Sequence, residues 1–283
     1  MQISLSDLDL FITNALQEDV EDGDHTSLAC IPDAATGKAE LLVKEGGVLA
    51  GMEVAKKIFK EVDKQLKFAP FLIDGNTIKK GDIAFEVEGS AQSILKAERL
   101  VLNCMQRMSG IATSTHQYVQ KLKGLETKIL DTRKTTPGFR MLEKWAVKIG
   151  GGENHRFGLF DMIMIKDNHI DYSGGINAAI KKTADYLSKN NLNLKIEVEA
   201  RNMEEVEEII ATGCINRIML DNFSFEETTK AVVLINGQYE TESSGGITLE
   251  TIRQYAECGV DYISVGALTH HIKSLDLSLK AVK

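Results

Sequence analysis

Residues 196–221 read IEVEARNMEEVEEIIATGCINRIMLD, and their reading decides the fold. The apolar run Ile196-Glu-Val198 ends in Glu199, a helix-period segment covers Met203–Ala211, and a second run, Ile218-Met-Leu220, ends in Asp221. Short β-rich run, amphipathic helix, short β-rich run is the pattern of two parallel strands joined by a crossover helix. The same grammar continues outward in both directions. Lys128-Ile-Leu-Asp131 leads into Thr132-Arg133-Lys134, Met162-Ile-Met-Ile165 into Lys166, and Tyr262-Ile-Ser-Val265 into Gly266. Further helix candidates are Phe139–Lys148, Gly175–Lys189, Phe225–Ile235 and Leu249–Cys258. About six strands are expected from Ile129 onward, short of the usual barrel's roughly eight. The expectation is an α/β chain with an incomplete barrel of about six to seven strands, its reactive groups at the carboxyl ends of the strands.

The first half lacks this strict alternation. A helix is expected over Ser4–Gln17, capped by Ser4 or Ser6, then an acidic loop from Glu18 to Thr26. Strand-like runs at Lys38–Val43, Gly47–Ala50 and Gly81–Val87, with a helix near Gly51–Val62, read as an α+β sandwich domain. A long helical pattern from Ser93 to Leu122 carries Gly110 as a candidate kink. The expected division is an N-terminal domain over 1–111, with the tail 271–283 returning to it, and a barrel over 112–270.

A chain of 283 residues, 43% hydrophobic and 26% charged, has room for one barrel plus a small domain. No apolar run is long enough to span a bilayer, and residues 1–9 open with acids, so a cytoplasmic location is expected. Cys30, Cys104, Cys214 and Cys258 form no C-x-x-C pair and read as reduced core thiols. A net charge of −8 argues against nucleic acid as the main partner. Yet Arg133, Lys134, Arg140, Lys144, Lys148, His155, Arg156 and Lys166 crowd one segment. A cationic centre in an acidic chain points to a small, highly anionic ligand.

The densest motif is Asp131-Thr-Arg133-Lys134-Thr-Thr-Pro137-Gly138. Arginine matches a carboxylate with a planar fork, and lysine offers a compact charge to phosphate. A solvated basic loop is the plain alternative; placement at a strand end argues for ligand binding. Gly150-Gly-Gly152-Glu-Asn-His155-Arg156 repeats the theme, with glycines that permit close ligand approach. Lys166 either binds phosphate or forms a Schiff base. Glu199 and Asp221 suit Mg²⁺ or ribose hydroxyls, and Glu197, on the same face as Glu199, is an equal candidate to reach them. Ser243-Ser244-Gly245-Gly246 and Ser264-Val265-Gly266-Ala267 offer backbone amides for a phosphate. Trp145 and the methionines read as core.

Taken together, Asp131-Thr-Arg-Lys-Thr-Thr-Pro-Gly, Gly-Gly-Gly-Glu-Asn-His155-Arg156-Phe-Gly-Leu and Ile-Lys166-Asp-Asn-His resemble the quinolinate phosphoribosyltransferase family, over nearly the whole chain. The resemblance implies conversion of quinolinate and phosphoribosyl pyrophosphate to nicotinate mononucleotide, pyrophosphate and CO₂, with Mg²⁺, for NAD biosynthesis. It implies that Thr132, Arg133, His155 and Arg156 bind quinolinate and its two carboxylates, and that Lys134 and Lys166 meet phosphates and developing charge. Glu199 and Asp221 take the ribose hydroxyls and the metal, and Ser244, Gly245, Gly246, Gly266 and Ala267 the 5′-phosphate. It further implies a homodimer, with Arg99 of Ala97-Glu-Arg-Leu donated across it. The rivals are a Schiff-base lyase using Lys166 and a divergent relative such as the molybdenum-transport-associated homologues.

Overall fold

The structure, a computed structural model, describes residues 5–282, so the proposed cap at Ser4 and the last residue of the tail lie outside the described residues. The elements in chain order are α1 (Leu5–Val20), α2 (His25–Cys30), β1 (Thr36–Val43), β2 (Gly47–Val48), α3 (Met52–Val62), β3 (Lys67–Pro70), β4 (Thr77–Ile78), β5 (Ile83–Ser90) and α4 (Ala91–Lys121). Next come β6 (Lys128–Leu130), α5 (Arg140–Ile149), β7 (Ile163–Ile165), α6 (Asp167–Ser173), α7 (Ile176–Lys189), β8 (Ile196–Ala200) and α8 (Met203–Thr212). The chain closes with β9 (Arg217–Asp221), α9 (Phe225–Ile235), β10 (Glu240–Ser244), α10 (Ile252–Glu257), β11 (Tyr262–Ser264), α11 (Ala267–His270) and β12 (Leu277–Val282). Two compact units result: the described residues through His116 with Thr135–Gly151 and the chain from Leu268 onward, and Gln117–Lys134 with Gly152–Ala267.

The first unit is built on an antiparallel sheet of order β12-β1-β5-β3. Ala39, Leu41 and Val43 alternate inward along β1, and α3 lays Val54, Ala55, Ile58 and Phe59 into the same core, each 5% exposed or less. Phe59 meets Phe85 edge to face at 5.8 Å. The tail does return: β12 pairs with β1 from Lys38↔Val282 to Val43↔Leu277. Gly110 does not kink α4, which runs unbroken from Ala91 to Lys121. It is glycine because the tail passes close by: a Cβ there would stand 2.2 Å from the Lys273 carbonyl oxygen.

Helix α5, expected within the barrel ladder, groups with the first unit instead. The causes are specific. A Cβ on Gly150 would lie 2.5 Å from the Ala112 carbonyl oxygen, so the backbones pass too closely for any side chain. Glu143, fully buried on α5, accepts from Arg107 Nε at 2.8 Å and Nη2 at 2.6 Å. Trp145 is half-buried rather than core. All four cysteines are free thiols, but only Cys104 is buried, whereas Cys30 and Cys214 are exposed and Cys258 is intermediate.

The second unit holds a six-stranded parallel sheet of order β6-β11-β10-β9-β8-β7, with β6 and β7 as its edges. Residue Glu153 makes a parallel bridge to Leu130, so the segment after α5 lies beside β6 as a partial seventh stave. Helices α8 and α9 appear where the 3.6-residue period put them, begun by Asn202 and Ser224, whose side chains accept from Glu205 and Glu227 amides. Two helices differ from expectation. Asp167–Ser173 is helical, and α10 starts only at Ile252, after the Thr248–Thr251 turn.

Candidate active site

Parallel pairing brings the chemically distinctive residues to one edge of the sheet. Ile165 pairs with Val198, Ala200 with Leu220, Asp221 with Ser244, Ser243 with Ile263, and Ser264 with Leu130. The carboxyl ends of these strands therefore carry a single row of residues: Lys166, Glu199, Asp221, Ser244-Gly245-Gly246, Gly266-Ala267 and Asp131-Thr132-Arg133-Lys134. Lys166 Nζ donates to Glu199 Oε2 at 2.8 Å, and Glu199 is 7% exposed. Glu199 is thus the acid that reaches the rim. Asp221 is half-buried and accepts from the Asn222 side-chain amide at 2.7 Å.

The Ser244–Gly246 turn is laced to its neighbour, since the Asn222 amide donates to the Ser244 carbonyl at 2.8 Å. Gly245 has φ 96°, and a Cβ there would stand 2.1 Å from Asn222 Oδ1 and 2.9 Å from Asn222 N. No other residue fits that crossing. The turn is therefore held in a fixed shape by its packing against Asn222.

Thr132 Oγ1 accepts from the Lys134 amide at 3.0 Å, folding the basic loop so that Arg133 and Lys134 are both exposed. Burial first, and then the positive charge of Arg133, hold the Arg156 guanidinium below the ordinary arginine value. The two cations are therefore within electrostatic reach of each other. The carboxylates of Glu197 and Asp161 act on Arg156 in the opposite sense. Arg156 is oriented by donating from Nη1 to the Met162 carbonyl at 3.2 Å.

His155 departs from its expected place among these cations. It is buried at 8% exposure, with Nε2 3.0 Å from Glu197 and 3.5 Å from Glu242, both fully buried. Its Nδ1 accepts the Arg156 amide hydrogen at 2.7 Å. Burial alone pulls the imidazole down, but the two carboxylates overcome this and push its pKa up to about 9. That favours a second ring proton, whereas the Arg156 amide already points at the nitrogen that would carry it. The N–H···N contact decides: the ring's proton is on Nε2, facing the carboxylates. Glu242 also accepts from Arg217 Nη1 at 2.9 Å.

His155, Glu197 and Glu242 are the one set of at least three metal-type ligands found close together among the described residues, with ligand atoms within 4.8 Å of one another. The hard carboxylate oxygens of Glu199 and Asp221 suit Mg²⁺ at the rim. Sequence reasoning named Glu197 but missed its burial, and missed Glu242 and Arg217. A signal was available: Glu197 is in phase with Glu199, Glu242 with Ser244, and Arg217 with Asp221 on their strands. Arg99 belongs to the first unit and is exposed on α4.

Two family models match the chain: quinolinate phosphoribosyl transferase, N-terminal domain, over residues 24–109, and its C-terminal domain over residues 111–280. A chloroplastic nicotinate-nucleotide pyrophosphorylase (carboxylating) of Oryza sativa subsp. japonica is 48% identical, covering 97% of this chain and 77% of its own. A probable nicotinate-nucleotide pyrophosphorylase (carboxylating) of Bacillus subtilis is 44% identical, covering 93% and 89%. Among solved structures, NadC from Streptococcus pyogenes superposes with TM-score 0.92 at 39% identity over 100% of both chains. The nicotinate-nucleotide pyrophosphorylase of Francisella tularensis gives TM-score 0.92 at 38% identity, over 99% and 98%.

Proposed function

The chain belongs to the quinolinate phosphoribosyltransferase family, and we propose from that membership that it makes nicotinate mononucleotide from quinolinate and phosphoribosyl pyrophosphate, a step of de novo NAD biosynthesis. The observation that carries the reading is the match of both family domains, over residues 24–109 and 111–280, to a chain that sets Arg133 and Arg156 within electrostatic reach of each other. The pyridine nitrogen of quinolinate is its own nucleophile and needs no activated serine or cysteine. It attacks the anomeric carbon as the bond to pyrophosphate breaks, with oxocarbenium-like charge that carboxylates stabilise. The ring is then cationic, so the carboxylate beside the nitrogen leaves as CO₂. Its bonding electrons stay on carbon until a proton from water replaces it.

Arg133 and Arg156 hold the two carboxylates of quinolinate, with Thr132 shaping the loop. His155 supports Arg156 from below rather than touching substrate. Lys134 and Lys166 meet phosphate oxygens, and Ser244, Gly245, Gly246, Gly266 and Ala267 cradle the 5′-phosphate. Glu199 and Asp221 take the ribose hydroxyls and would hold Mg²⁺, which when bound neutralises the departing pyrophosphate. Arg99 completes the site of a partner subunit in a homodimer. The proposed compartment is the cytoplasm, supported by exposed free thiols, which suit reducing conditions. A Schiff-base role for Lys166 is disfavoured by its ion pair with Glu199.

The test is CO₂ release from quinolinate with phosphoribosyl pyrophosphate and Mg²⁺, against nicotinate as control. Arg133→Ala should lower turnover about 10²–10³-fold, if the cation also serves the transition state. In calorimetry it should lose quinolinate affinity and keep phosphoribosyl pyrophosphate binding. Unchanged quinolinate affinity would reject the assignment.

A further inference from the structure

We propose that Glu197 and Glu242 are positioning residues for substrate binding: from the layer beneath the rim they hold the His155 ring, and through it the backbone of Arg156. The inference rests on the proposed function, in which Arg156 grips a quinolinate carboxylate.

The strands use the same face twice. On β8 the rim position is Glu199, and two residues earlier the same face carries Glu197; on β10 the pair is Ser244 and Glu242. On β9, Arg217 shares its phase with the rim residue Asp221. The upper layer faces ligand, and the lower is a buried charge cluster. Arg217 is held from the other side by Glu240 Oε2, at 3.0 Å from Nη2, and its guanidinium carbon sits 4.0 Å from the centre of the Tyr262 ring. An anchored Arg217 fixes Glu242, and the two carboxylates draw Nε2 of His155 to within 3.0 Å and 3.5 Å.

The ring is constrained on its other sides as well. Asp131, fully buried, accepts the His155 amide at 2.9 Å and the Asn154 side-chain amide at 2.6 Å. This clamps the backbone on which the ring is mounted. With the backbone clamped and Nε2 drawn toward the carboxylates, Nδ1 points where the Arg156 amide meets it at 2.7 Å. Turning the ring would break that bond and free the peptide that carries the Arg156 guanidinium. A site that must align two arginines on one planar dianion gains from such a fixed mount, because a preorganised binding group does not have to be ordered when the ligand arrives.

The cluster also accounts for its own charge. Burial, with the nearby charge of Glu242, pushes Glu197 up to about 7. Glu242 goes the other way: burial opposes its ionisation, but His155 and Arg217 prevail and hold it below the ordinary carboxylate range. Arg217 is shared between Glu242 and Glu240, at 2.9 Å and 3.0 Å, so its charge stands against both carboxylates.

The test uses Glu197→Gln and Glu242→Gln, which keep the side-chain shape and remove the charge. The expected result is a rise of about 10- to 100-fold in KM for quinolinate, as for groups that orient a binding residue. Turnover and the KM for phosphoribosyl pyrophosphate should stay unchanged. Histidine ¹⁵N spectra, assigned with His155→Gln, should show Nδ1 of His155 as an unprotonated acceptor in the parent protein and an averaged tautomer in the Gln variants. If neither Gln variant folds, Glu197→Asp, which keeps the charge but shortens the reach, serves for the same readouts. An unchanged quinolinate KM, whatever the loss of thermal stability, overturns the proposal, and so does a stoichiometric divalent metal present in the parent and lost in Glu197→Gln. Failure of the parent protein to release CO₂ from quinolinate would instead sink the functional reading.

Discussion

Replacing Gly110 with alanine separates local propensity from tertiary packing. In an exposed helix interior Gly→Ala gains about 1 kcal/mol. Here the new methyl would stand 2.2 Å from the Lys273 carbonyl oxygen, 3.1 Å from its carbon and 3.2 Å from the Ser274 Cα. All three are backbone atoms, so no side-chain rotation relieves the contact, and the chain must move by about 1 Å to reach ordinary contact distance. That segment is tied down nearby by the Leu275 amide donating to the Gln106 carbonyl at 2.9 Å and by Gln106 Nε2 donating to the Leu277 carbonyl at 2.8 Å. Losing both bonds costs about 2 kcal/mol, and overpacking adds about 1–3 kcal/mol. Set against the propensity gain, Gly110→Ala should destabilise the first unit by roughly 2–4 kcal/mol. Trp145, the single tryptophan, lies in that unit, so its fluorescence during urea unfolding reads the effect directly. A midpoint equal to or above that of the parent would refute the packing argument.

The buried cluster makes stability depend on pH. Glu197 rises from an ordinary 4.5 to about 7, so in the folded protein it binds a proton more tightly than in the unfolded chain. The stabilisation is complete below the unfolded value and disappears as pH climbs through about 7. Urea midpoints should therefore fall from pH 5 to 8 more steeply in the parent than in Glu197→Gln; parallel curves would contradict the assignment. For the proposed dimer, Arg99→Ala and Arg133→Ala should each be inactive alone and regain activity when unfolded and refolded together, because one mixed site then holds both arginines. No recovery would remove Arg99 from the site.

Much of the second unit was legible because periodicity is a local property. The runs ending in Glu199, Asp221 and Lys166 each became a strand whose end carries the named side chain, and the Phe225–Ile235 helix matched residue for residue. A two-residue alternation and a 3.6-residue period are written within a few neighbouring residues. The basic motif after β6 and the glycine turn after β10 were equally plain, because their chemistry is contiguous. By itself, then, the sequence determined the parallel sheet and the strand ends at which the acids, the basic loop and the glycine turn gather. Three features were decided only by tertiary structure. Gly110 became a contact point for the tail, α5 joined the first unit, and His155 turned away from the rim toward Glu197 and Glu242. The physical reason is the same in each case. Alternation along a strand says which face a side chain takes, but the register between strands far apart in sequence decides which side chains share a layer. Likewise, a glycine's local conformation carries no trace of the backbone that will pass beside it.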